Sequence, residues 1–195
     1  MSKERVETFS DAVFAIILTL LVLELHAPDI AAHSSLSQYA VAMVPLIPKV
    51  VSFVLTFVLI CIHWVGHHYL FCHLSHTTLG LVWLNNLLLL WLCFLAFPTA
   101  MLGNHPTDQF PIILYGGNSL LAALTFFAIR SYASHNHLFK ADYESAHALG
   151  PRHSLPSIVL YSLSIVFAFV NVYLSLICIL AVPFLYFVPN MVRFE

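Results

Sequence analysis

Three short stretches of this sequence carry side chains able to do chemistry. Near the N-terminus, Arg5, Glu7, Ser10 and Asp11 fall within one short run. A second group, His63, Trp64, His67 and His68, is followed by a third, Asn85 and Asn86, inside a leucine run. Carboxylates and a guanidinium can pair or meet a cation, and imidazoles can bind a metal or move a proton. Amide and indole groups offer hydrogen bonds. The residues around them are almost entirely apolar, so each of these groups has to be paired, wet or functional.

That background is unusual. The chain has 195 residues, 61% hydrophobic and only 8% charged, with a mean hydropathy of +0.91. Soluble domains carry about 25% charge, so this composition excludes a soluble globular protein, and it equally excludes disorder. A net charge of −2 with seven Lys and Arg leaves no basic patch for nucleic acid. Cys61, Cys72, Cys93 and Cys178 all lie in apolar stretches without a C-x-x-C pair, which suits small hydrophobes better than a disulfide framework. A polytopic, all-helical membrane protein remains.

A helix needs about 20 apolar residues to cross a bilayer. The sequence predicts spans over about 5–25, 49–71, 79–102, 111–132, 155–170 and 172–188, within one domain covering 1–195. The first reads as a span and not a cleaved leader, because Glu4, Glu7 and Asp11 oppose a leader's basic start. Residues His26 to Gln38, with Pro28, Asp29, Ser34 and Ser35, read as a loop; Tyr39 to Pro48 read as the lead-in to span two. Pro98 and Gly103-Asn104 close span three, and a hydrophilic linker runs from Ala133 to Ser154. The final apolar stretch is too long for one crossing, and Asn171 divides it. Lys3, Arg5, Arg130, Lys140, Arg152 and Arg193 then fall on one side and Lys49 on the other, which predicts both termini in the cytoplasm. No internal repeat is evident.

At about 100° per residue the first helix has two faces. Arg5, Phe9, Leu20 and Leu23 lie within about 40° of Ile16, while Ser10 and Asp11 point well away. Periodicity alone allows this apolar stripe to be a packing seam or the lining of a passage. The polar pair on the back calls for partners from other helices, and Trp64, His67, His68 and Asn85 can supply them. Glu7 has Lys3 and Arg5 near it for pairing along the helix.

Arg5-x-x-x-Phe9-Ser10-Asp11 resembles the signature of the family of the lysosomal potassium channel, transmembrane protein 175, and its bacterial homologues. Trp64-x-x-His67-His68, the Leu84-Asn85 start of a leucine run and Phe97-Pro98-Thr99 are similar to that family's second and third helices. The resemblance covers the six-span layout, with its specific motifs in the first half. It implies a potassium-preferring cation channel of the bacterial plasma membrane, a homotetramer in which the first helix of each subunit lines the pore. It further implies that Ile16 forms the constriction and that Leu20 and Leu23 form rings beyond it. Apolar rings of this kind gate by dewetting. Thr19, beside the stripe, is expected to tune potassium preference, and Glu24 and Asp29 to lie near the outer mouth. Arg5, Phe9, Ser10 and Asp11 become scaffold, bonded to Trp64, His67 or His68, and Asn85. No cofactor is expected beyond permeant potassium, no metal and no catalysis.

An alternative reading treats His63-x-x-x-His67-His68 as a histidine box of a membrane di-iron or haem oxidoreductase, with His73-x-x-His76 as a second. The remaining candidates, His135, His137, His147 and His153, lack the regular spacing such boxes need. Proton relay through Asp11 and the histidines in a coupled transporter is a third.

Overall fold

The computed structural model describes residues 2–140 and 154–187, and every regular element among them is helical. Helix α1 spans Lys3–Leu21 and continues as a 3-10 turn, Val22–Glu24. It buries Val6, Ser10, Phe14, Ile17 and Leu21. Those spacings of three and four residues follow the 3.6-residue repeat and place one stripe against the protein.

Helix α2, Leu36–Met43, buries none of its residues. Ser35 starts it: its hydroxyl accepts from the Gln38 backbone, and the Gln38 side chain accepts from the Ser35 N–H at 2.7 Å. The stretch expected as loop therefore ends at Ser35, because a capping box satisfies the first free N–H groups of a helix. A 3-10 turn, Val44–Leu46, leads into α3, Ile47–His73. Pro45 and Pro48 sit in the opening turns, where a missing N–H costs nothing.

The third span is two helices, α4 (Leu79–Phe94) and α5 (Ala96–Asn104). Pro98 does not close it. Having no N–H for the Phe94 carbonyl, Pro98 forces a break at Leu95, after which the chain stays helical to Asn104. Helix α6 spans Gln109–His135 and is the most deeply buried of the long helices, packing on α4, α5 and the C-terminal pair. That pair is α7, Leu155–Ala168, and α8, Val172–Phe187. Asn171 Oδ1 accepts from the Tyr173 N–H at 2.9 Å and so caps the start of α8. Four apolar segments, Lys3–Glu24, Leu36–His73, Leu79–Asn104 and Gln109–His135, are long enough to cross a membrane; α7 and α8 are shorter.

Small residues bring the helices close. A Cβ on Gly116 would lie 2.7 Å from Ser164 Oγ, and one on Gly103 would lie 2.9 Å from Lys49 Cα. Helix contacts in lipid rely on such approaches, because no hydrophobic driving force separates helix from hydrocarbon. At one end of the bundle, Lys3 Nζ donates to the Leu74 carbonyl at 3.2 Å and Lys140 Nζ to the Cys72 carbonyl at 2.8 Å. Lys49 lies at the other end beside Gly103. The linker from 141 to 153, with Arg152, His147 and His153, lies outside the described residues, as do Arg193 and the last residue expected of the sixth span.

Candidate functional site

Helix α1 keeps a large exposed apolar face after the subunit has packed. Phe9, Ile16, Leu20 and Leu23 are each at least 53% exposed, and Thr19 is exposed among them. They form the stripe opposite Ser10. The Thr19 hydroxyl donates to the Ile16 carbonyl at 2.9 Å, so its proton is used within the helix and its oxygen keeps its acceptor capacity on an exposed residue.

The back of α1 is pinned by side chains from α3 and α4. Asn85 Nδ2 donates to Ser10 Oγ at 2.9 Å, and Ser10 Oγ donates to the Val6 carbonyl at 2.8 Å. With its nitrogen committed to Ser10, Asn85 presents Oδ1 to His67 Nε2 at 2.8 Å, so His67 donates there. Ser10, His67 and Asn85 are all buried. His67 stacks on Phe71, with ring centroids 4.2 Å apart, and the tilted ring of Phe14 of α1 lies 5.6 Å away. One residue along, Trp64 Nε1 donates to Asp11 Oδ1 at 2.9 Å. Glu7 Oε1 lies 3.8 Å from His68 Nδ1.

Positions 7, 10 and 11 of α1 thus meet positions 64, 67 and 68 of α3 and 85 of α4. The steps of three and four residues on α1 and α3 place each set on one helix face. A slip of one residue along either helix would break these contacts together. They fix the rotation of α1 about its own axis, and that rotation aims Ile16, Leu20 and Leu23 away from the subunit.

Some expected members are elsewhere. Arg5 is exposed and makes no side-chain hydrogen bond among the described residues, and Phe9 belongs to the exposed stripe, not the network. Glu7 turns to His68 across the helix pair, not to Lys3 or Arg5, because Lys3 is engaged by the Leu74 carbonyl. The histidines do not converge as a metal box requires. His63 Nδ1 meets the Leu59 carbonyl at 2.8 Å, His67 faces Asn85, and His68 faces Glu7.

A second buried relay escaped the sequence. The Thr99 hydroxyl donates to the Leu95 carbonyl at 2.7 Å and accepts from Thr56 Oγ1 at 2.8 Å; Thr56 in turn accepts from the Tyr115 hydroxyl at 3.1 Å. It ties α3, α5 and α6 at the kink that Pro98 imposes. Thr99 carried a signal, since it follows that proline, but nothing local marked Thr56 or Tyr115 as its partners.

Fold and site together define a polytopic helical membrane protein whose N-terminal helix is anchored from behind and apolar in front. Residues 5–96 match the family described as endosomal/lysosomal potassium channel TMEM175. A potassium channel of Chamaesiphon minutus (strain ATCC 27169 / PCC 6605) is 32% identical over 189 residues, covering 92% of this chain and 92% of that one. A potassium channel of Chryseobacterium sp. (strain P1-3) is 28% identical over 194 residues, covering 97% of this chain and 95% of that one. The crystal structure of a lysosomal potassium-selective channel TMEM175 homolog from Chamaesiphon minutus superposes with a TM-score of 0.81 at 28% identity, covering 97% of each chain. The chain belongs to the TMEM175 family. These relatives are ion channels, not enzymes, and the full-length ones are bacterial.

Proposed function

We propose that this protein is a potassium-preferring cation channel of the bacterial plasma membrane, formed by four copies of the chain around one axis. Each subunit crosses the membrane six times, with both termini in the cytoplasm. Lys3 and Lys140 at the same end of the bundle, and Lys49 at the opposite end, support that orientation. The single observation that carries the reading is the stripe of Ile16, Leu20 and Leu23, exposed on a helix whose other face is fixed by buried hydrogen bonds. The names of the full-length relatives point the same way.

In this reading Ile16 side chains meet on the axis and form the constriction, with Leu20 and Leu23 rings beyond it. Apolar rings at that spacing exclude water until the passage widens, so they gate without a charged group. A permeating ion must shed part of its hydration shell, and potassium does so at lower cost than sodium. Thr19 offers an acceptor oxygen beside Ile16, which favours the ion that has lost water. Arg5 sits at the cytoplasmic mouth and Glu24 and Asp29 near the outer one. Conduction needs no resident cofactor; the permeant ion is the pore's only ligand.

The test is cation flux into reconstituted vesicles, with Ile16→Asn, Leu20→Ala and Leu23→Ala beside the unmodified protein. Ile16→Asn is expected to raise flux about tenfold or more, equivalent to about 1.4 kcal/mol off the barrier, and to lower discrimination against sodium. Unchanged flux in all three variants would overturn the assignment.

A further inference from the structure

We propose that Glu7, His68 and Cys72 form a binding site for zinc, which clamps the start of α1 to the end of α3. One ring nitrogen of His68, one carboxylate oxygen of Glu7 and Cys72 Sγ lie within 4.8 Å of one another, and among the described residues no other trio of such groups does. His68 and Cys72 are one turn apart on α3, so both project from the same face. Their Nε2 and Sγ atoms are 3.5 Å apart. Zinc bonds of about 2.0 Å to nitrogen and 2.3 Å to sulfur, opened to a tetrahedral angle, set those two ligands about 3.5 Å apart. That edge of the coordination sphere is already in place. Glu7 Oε1 lies 3.8 Å from the other ring nitrogen, Nδ1, so its carboxylate has to swing toward Nε2 and Sγ to complete the set.

Charge and access fit as well. A thiolate and a carboxylate neutralise a divalent cation, and the imidazole joins as a neutral ligand. The Cys72 thiol gives its proton to solvent when the metal binds. Glu7 makes its ion contact with a histidine, not a permanent cation. The Glu7 side chain is 20% exposed and that of His68 57%, which leaves an entry path and room for a water as fourth ligand. A sulfur–nitrogen–oxygen set of this kind selects zinc over magnesium or calcium, which prefer oxygen alone. The site lies on the pinned side of α1, away from the Ile16 stripe, so it stands whether or not that stripe lines a pore.

The test uses the full-length protein in detergent, free of any affinity tag, with cobalt(II) and zinc(II) as probes. Cobalt is expected to give a thiolate-to-metal charge-transfer band that zinc abolishes, and zinc to raise the melting temperature. Cys72→Ser should remove the band. Glu7→Gln and His68→Ala should each weaken zinc binding about tenfold or more. In the presence of a chelator the effect of zinc on the melting temperature of the unmodified protein should vanish, and Asp108→Asn, at an exposed loop site, should leave zinc binding unaltered. Absence of the band in the unmodified protein overturns the proposal, as does a band that survives Cys72→Ser. Zinc binding undiminished in both Glu7→Gln and Cys72→Ser would overturn it too.

Discussion

Helices α1 and α6 are both apolar and long enough to cross a membrane, yet the subunit uses them in opposite ways. In α6, 56% of the most apolar window is buried, against 28% in α1. Helix α6 sits at the centre of the fold and is held by close approach, with Gly116, Ser119, Ala122 and Ala123 admitting its neighbours. Helix α1 has little packed area and is held by Ser10, Asp11 and their partners. A helix that keeps one face for contacts outside its own subunit cannot be fixed by area alone. A few directional hydrogen bonds in a water-free setting fix its rotation at small cost in surface.

Overfilling α6 gives the largest expected effect. Gly116→Leu puts a branched side chain where even a Cβ comes within 2.7 Å of Ser164 Oγ, and that hydroxyl already donates to the Tyr161 carbonyl. The loss should be about 3 kcal/mol or more, read as a fall in melting temperature and in yield of monodisperse protein. Ile16→Ala on the exposed face of α1 should leave subunit melting nearly unaltered. Equal losses at both sites would mean the two helices are held alike.

Breaking the polar back of α1 comes next. Asn85→Leu leaves Ser10 and His67 without their buried partner, at a cost of about 1–3 kcal/mol. It should also free α1 to rotate, so channel flux should fall further than stability explains. A double-mutant cycle of Ser10→Ala with Asn85→Leu isolates the pair and should return about 1 kcal/mol of coupling. A smaller loss is expected for Trp64→Phe, which keeps an aromatic side chain, though a smaller one, and removes the bond to Asp11. Hydrogen bonds between helices in lipid average about 0.6 kcal/mol, so a comparable drop in unfolding free energy is the expected reading.

Much of this division was legible in the sequence. The membrane class followed from composition, and the family from Arg5-x-x-x-Phe9-Ser10-Asp11 with Trp64-x-x-His67-His68. The two faces of α1 followed from angular position, which depends only on the helix repeat. Partner choice did not. Glu7 had Lys3 and Arg5 close in sequence, yet tertiary contacts gave it His68 and gave Lys3 a backbone carbonyl. Which of two adjacent histidines meets Asn85 depends on the rotation of α3 against α4. The Thr56–Thr99–Tyr115 relay joins residues 43 and 59 positions apart, beyond any periodic signal. At Ser35 the signal was present but read as turn chemistry, since Ser34, Asp29 and Pro28 surround it; Gln38 three residues on was the distinguishing mark.

The smallest effect, and the finest test of the contrast, concerns Thr19. Its hydroxyl proton goes to the Ile16 carbonyl and binds nothing from another helix, so removing it should leave the subunit's fold alone. Thr19→Val keeps the branched shape and deletes only the hydroxyl. If α1 faces a passage, the potassium-to-sodium flux ratio should fall about two- to threefold, since a single weak ligand contributes well under 1.4 kcal/mol, the equivalent of a tenfold change. Total flux and melting temperature should stay close to those of the unmodified protein. A ratio that does not move while Ile16→Asn still opens the channel would place all discrimination in the apolar ring and leave Thr19 a helix-capping hydroxyl. A large loss of stability instead would mean that this face of α1 is packed, not wet, and that the difference between α1 and α6 is one of degree.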